Sequence, residues 1–184
     1  MPITLIDEST RPKAPRIEGV TERQRRHGGR LALIHAYHLQ EMAHVRTVLD
    51  QVGAGQSAPA EAGKAASSLD MLTNMRQFGA LCGHECQNLN AHHSIEDFSV
   101  FPELEGKTAG LDKVVQRLRE EHEVIHSILE EMEEAAIAVL QMPGPSSFAK
   151  LREVFETLEP LVHSHFGYEQ TELEEALGVY APDL

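Results

Sequence analysis

Histidine and glutamate stand in this chain where a helical bundle ordinarily places leucine. From residue 31, apolar residues recur in alternating steps of four and three, which keeps one stripe of a helix turned toward a core. The first stripe is Leu31, His35, His38, Met42, Val45, Leu49, Val52, and the second is Met75, Phe78, Cys82, Glu85, Leu89, His92, Glu96. The third is Leu111, Val115, Leu118, His122, Ile125, Leu129, Met132, Ala136, and the fourth is Leu151, Phe155, Leu158, Val162, His165, Glu169, Leu173. A polar group buried without a partner costs roughly 1–3 kcal/mol. Several in one core make sense only if something satisfies them together.

Their spacing says what that something is. His92 and Glu96, His122 and His126, and His165 and Glu169 are each four residues apart. On a helix such a pair projects from one face, about one turn apart, and aims at a single point. Imidazole nitrogen with carboxylate oxygen suits iron, manganese and zinc. The pattern points to a metal site.

The breaks between stripes set the architecture. Pro2, Pro12 and Pro15 among scattered charges make residues 1–20 an extended, flexible arm. Thr21-Glu22-Arg23-Gln24 resembles a capping box, so the folded domain is taken as residues 21–184. Val52-Gly53-Ala54-Gly55 ends the first long helix, and residues 54–66 form a loop. The second helix stops near Phe101-Pro102, and Met142-Pro143-Gly144-Pro145 separates the third from the fourth. No strand-like alternation competes. The expected fold is all-α, an antiparallel up-and-down four-helix bundle. The turns fall where such a bundle needs them. Midway between residues 94 and 124 is 109, inside Gly106–Gly110, and midway between 124 and 167 is the Pro-Gly-Pro break. The turn before the second helix fits either His35 or His38 and does not choose between them.

A length of 184 residues suits one domain, and aromatics at 5% with no Trp favour helices over strands. No apolar run is long enough to cross a bilayer, and the first residues lack a basic start followed by a long apolar stretch. A soluble cytoplasmic protein with no membrane partner is expected. The net charge of −13 divides into +3 over residues 1–30 and −16 over the rest. The acidic body argues against nucleic acid as a partner, and the basic arm is expected as a solvated tail. Cys82 and Cys86 are too few for a four-thiolate zinc site or a disulfide scaffold, and are expected as small buried hydrophobes. No Gly-rich phosphate loop and no Ser-His-Asp arrangement is present.

Taken together, a lone His on helix one, His-x-x-x-Glu on helix two, His-x-x-x-His on helix three and His plus a carboxylate on helix four resemble the hemerythrin-like family of HHE cation-binding proteins. The stretch from Phe78 to Pro102, with Cys82, Cys86, His92-His93, Glu96-Asp97 and Phe101-Pro102, is similar to bacterial members. So is Glu121-His122 followed by His165-Phe166-Gly167-Tyr168-Glu169. The resemblance covers residues 31–178. Ferritin-like proteins differ, since their carboxylate precedes the histidine by three. The resemblance implies two Fe ions, oxo- or hydroxo-bridged, inside the bundle. His122, His126 and His165 would serve one, His35 and His92 the other, and Glu96 and Glu169 would bridge them, offsetting the repulsion of two cations. Two departures stand out. Glu169 follows the last histidine by four, where the invertebrate oxygen carriers use five. His126 is less typical of the bacterial relatives, so a supporting place at the solvent edge is its alternative.

Other polar residues have their own expectations. His38 shares a stripe with His35 and is its rival. His93 and Asp97, rotated off the stripe, are expected at the surface or supporting the site from outside it. His44, His84 and His163 face solvent, and His27 precedes the bundle. Glu85 and Tyr168 are the candidates for proton transfer beside the metals. The ligands expected are small: H2O2, O2 or NO. One reading is an oxidoreductase with catalase- or peroxidase-like redox turnover. Others are reversible oxygen or nitric oxide binding and sensing, and iron storage or donation. If Glu85 relays protons, Glu85→Gln keeps its iron and slows peroxide turnover; unchanged turnover removes Glu85 from the chemistry.

Overall fold

Every described residue of the four stripes is buried, none more than 9% exposed. The structure is a computed structural model that describes residues 6–54 and 68–183, the side chains of 68–78 excepted. The expected loop over 54–66 and the stripe positions Met75 and Phe78 fall almost wholly outside the described residues. All regular structure among the described residues is helical. After a 3₁₀ turn at Glu8–Thr10 come α1 (Glu22–Gly28), α2 (Leu31–Gly53) and α3 (Ser68–Ile95). A π-helical turn over Glu96–Val100 leads into α4 (Phe101–Leu104), followed by α5 (Ala109–Gln141) and α6 (Pro145–Tyr180).

Local chemistry sets the ends. Thr21 caps α1 with a reciprocal box: its hydroxyl accepts from the Gln24 amide at 3.3 Å, and the Gln24 side chain accepts from the Thr21 amide at 2.9 Å. Before α5 the chain turns at Gly106, whose φ of +76° favours glycine. The Thr108 hydroxyl then accepts from the Leu111 amide at 3.1 Å. Pro145 opens α6, where its missing N–H is no loss. The second helix does not stop at Phe101-Pro102. It passes through the π turn, in which the Phe101 amide donates to the Glu96 carbonyl five residues back, and continues to Leu104.

The chain divides into two compact units, to both of which α2, α3, α5 and α6 contribute. The first comprises the described residues up to Tyr37, Asn90–His126 and those from Pro160 on. Its apolar core gathers Phe101, Leu104, Leu111, Leu118, Leu173 and Leu177. The arm is docked in this unit, not solvated. Its Ala14 amide donates to Glu172 at 2.7 Å, its Ile17 amide donates to Glu175 at 3.0 Å, and Arg11 is half-buried. Two glycines let α1 lie against α6. A Cβ on Gly28 would sit 1.9 Å from the Glu174 carbonyl oxygen, and one on Gly178 would sit 2.2 Å from that of Gln24.

The second unit comprises His38–Leu89 and Ser127–Glu159. Met42, Leu49, Leu89, Ile128, Met132 and Phe155 are its largest fully buried side chains. Arg46 is forked onto Glu159 and lies over the Phe155 ring, 5.0 Å from its centroid. Cys82 and Cys86 are free thiols buried in this unit, as expected of small hydrophobes. Burial pushes Cys86 up to about 12, helped by the charges of Glu133 and Glu85, and raises Cys82 as well. Neither is a nucleophile at neutral pH. His38 and Glu85 are also buried here, with Nδ1 and Oε1 3.4 Å apart.

The glycine contact is directly testable. Gly28→Ala and Gly178→Ala each force backbone apart and are expected to destabilise by about 1–3 kcal/mol. An unchanged thermal midpoint in both would mean that α1 does not pack on α6 in this way.

Candidate metal centre

Two clusters of donors converge in the first unit. His35, His92 and Glu96 form one and His93, His122 and His165 the other, each with its nearest donor atoms within 4.8 Å of one another. All six side chains are buried. Two carboxylates face both clusters. Glu96 has Oε1 3.1 Å from His92 Nε2 and 3.6 Å from His35 Nε2, while its Oε2 is 3.6 Å from His122 Nε2. Glu169 Oε2 lies 3.4 Å from His35 Nε2 and 3.9 Å from His165 Nε2.

The outer nitrogens are held by partners. His122 Nδ1 is 3.1 Å from Asp97 Oδ1, and His165 Nδ1 is 3.1 Å from Glu121 Oε2. A carboxylate can only accept, so both imidazoles carry their proton on Nδ1. Their Nε2 atoms then confront each other as bare lone pairs, 3.1 Å apart. A proton shared between them is disfavoured, because burial lowers the pKa of His165 and that of neighbouring His93. His35 Nδ1 accepts from the Gln170 side-chain Nε2 at 2.9 Å. With that amide turned by 180°, its oxygen would meet Nδ1–H and leave Nε2 free to coordinate.

The carboxylates are poised oppositely. Burial, then the charge of Glu169, pushes Glu96 well above the usual carboxylate range. Burial also acts to raise Glu169, but the imidazole of His35 beside it, joined by His165 and His122, holds it below that range. Glu121 is driven down to about 2: burial opposes this, but His165 and Arg11 outweigh it. Both oxygens of Glu96, both of Glu169, both nitrogens of His93 and Nε2 of His35 make no hydrogen bond. Buried polar atoms of this kind, on imidazoles and carboxylates aimed inward, are the donor set that a divalent cation satisfies.

Aromatic rings close the site. Phe166 stacks on His35 with centroids 3.8 Å apart, and Phe101 lies nearly parallel to His122 at 5.5 Å. The π turn matters to this arrangement: it starts at Glu96, carries Asp97 to His122, and delivers Phe101 into the core.

The family model of the hemerythrin HHE cation binding domain matches residues 29–177. The chain belongs to this hemerythrin family. No curated protein and no solved structure matched it. No described helix is long and apolar enough to cross a membrane.

Within this hemerythrin domain most expected residues come together. His35, His92, Glu96, His122, His165 and Glu169 share one site, and His35 occupies it where His38 does not. The exception is the third histidine of the second cluster. His93, expected outside the site, is 0% exposed and stacks on His122 with centroids 4.2 Å apart. His126 is half-buried, with its ring 5.3 Å from that of His93 and 6.2 Å from that of His122, and it belongs to neither cluster. The reason is geometric. On α3, His92 turns to His35 of α2 and His93, 100° around, turns to His122 of α5. His126 is one turn farther along α5. The adjacent His92-His93 pair was the available signal. Asp97 supports His122 from outside, as expected. His44, His84 and His163 are exposed, also as expected, and His27 Nε2 meets the Ala181 carbonyl at 3.0 Å. Tyr168 donates its hydroxyl to the Pro12 carbonyl at 2.8 Å. The supporting roles of Glu121, Gln170 and Arg11 were not foreseen, and only the adjacency of Glu121 to His122 hinted at one of them.

The two histidines separate experimentally. His93→Ala is expected to lose metal that the unaltered chain retains, and His126→Ala to keep it, by metal analysis after loading and desalting. Equal retention in both would remove His93 from the donor set.

Proposed function

We propose that this hemerythrin-family chain holds two iron ions and handles small ligands at them: dioxygen, hydrogen peroxide or nitric oxide. The observation that carries the reading is the pair of bare Nε2 atoms on His122 and His165, 3.1 Å apart, with Glu96 and Glu169 facing both histidine clusters. His93, His122 and His165 would hold one ion and His35 and His92 the other, with Glu96 and Glu169 between them. Iron held at these positions would supply two adjacent redox-active centres for a small ligand. Asp97 and Glu121 keep the Nδ1 protons of His122 and His165 in place, so their Nε2 atoms remain donors. Glu96 and Glu169 offset the mutual repulsion of two cations. Phe166 and Phe101 exclude water and bulky substrates. Four long helices alternating in direction belong to this reading, supported by the helical character of the described residues and the short links over 105–108 and 142–144. Free, buried thiols fit the reducing cytoplasm.

Redox turnover needs proton donors beside the ions. Tyr168 is engaged with Pro12, and Glu85 with His38. Those two contacts favour a second reading, reversible binding without turnover.

Anaerobic loading with ferrous iron is expected to leave close to two irons per chain, and Glu96→Ala and Glu169→Ala to lose most of the metal. Clearly less than one iron in the unaltered chain would overturn the diiron reading. Admitting and then removing oxygen while recording the visible spectrum separates the two modes. A band that disappears with the oxygen marks reversible binding, and one that stays marks redox turnover.

A further inference from the structure

The outermost residue of the site comes from the arm. Arg11 forks onto Glu121, with Nε donating to Oε1 at 2.8 Å and Nη2 donating to Oε2 at 2.8 Å. The same Oε2 receives the Nδ1–H of His165. Arg11 also donates through Nη1 to the Ser164 hydroxyl at 2.9 Å, and its guanidinium lies over the Tyr168 ring, 4.7 Å from the centroid. It therefore grips the turn of α6 on both sides of His165. The grip is buried: the Arg11 side chain is 10% exposed and that of Glu121 1%. Arg117 adds a third donor, but only to Oε1, at 3.0 Å. A planar guanidinium fixes both the position and the plane of a carboxylate, which a point charge does not.

We propose that Arg11 is a positioning residue of the metal centre: it locks the plane of Glu121, and through it the tautomer and direction of the His165 imidazole. The arm is then a working part of the site. Beyond Arg11 the arm follows one stripe of α6, from Ser164 and Tyr168 to Glu172 and Glu175, which keeps Arg11 over Glu121. The metal-holding role of His165 rests on the diiron reading above; the tautomer lock does not require a metal.

Arg11→Lys keeps the charge and loses the fork, and Arg11→Gln serves as a second variant if the lysine form does not fold. In metal-free protein, ¹⁵N spectra of His165 are expected to show a single Nδ1–H tautomer in the unaltered chain and a mixture in Arg11→Lys. In iron-loaded protein, a chelator is expected to remove one of the two ions about tenfold faster from Arg11→Lys, within the range usual for partners of metal-bound histidines. Glu121→Gln should release it as fast, and Arg11→Lys should add nothing in that background. Arg16→Ala, which loosens the arm at Glu175 without touching Glu121, should release iron at the unaltered rate. A single tautomer with unaltered release in Arg11→Lys overturns the proposal. So does an additive double variant, or equal acceleration in Arg16→Ala, since either would make the effect one of arm docking alone. An unaltered chain that takes up no iron would refute the diiron reading, and the His165 tautomer would still decide the role of Arg11.

Discussion

The structure turns on a confrontation of lone pairs. Asp97 and Glu121 each claim an Nδ1 proton, so His122 and His165 face each other with bare nitrogens in a buried interior. With these two, the described residues of the first unit bury eight histidines and glutamates, all drawn from positions that could have been leucine or alanine in an ordinary bundle. Without a cation this ring is a standing cost in desolvation and repulsion. With one, the same groups become the strongest contacts in the unit. Stability and cation binding are therefore a single property of this half of the chain.

The ring can be assembled because adjacent residues on a helix serve two neighbours at once. His92 and His93 on α3 turn to His35 of α2 and His122 of α5. On α6, His165 turns to His122 and Phe166 turns to His35. A single stripe per helix could not do this. The π turn extends the same economy: it begins at the bridging candidate Glu96 and ends by setting Phe101 against His122.

Burial along each helix was legible in the sequence, because period and breakers are local properties. The stripes of α2, α5 and α6 are buried at every position named, and the α1 cap lies where its Thr-x-x-Gln box predicts. Six of the seven expected ligand positions converge for the same reason. That His93 and not His126 lies beside His122 and His165 was not legible. A stripe describes one face, while the site draws on the seam between faces and on which neighbour each face meets. The π turn left no local signature beyond Phe101-Pro102, which looked like an end. The arm was misjudged because proline and scattered charge describe a chain without partners, and its partners, Glu121, Glu172 and Glu175, lie on helices far away in sequence.

That distance has a consequence for the order of assembly. Arg11 and Ala14 are joined to residues 110 and 158 positions later in the chain. As the polypeptide is made, the arm precedes α6 by more than a hundred residues and finds no surface to lie on until α6 has been synthesised and packed. Residues made early are thus among the last to settle, and they close over a histidine cluster that must already be in place.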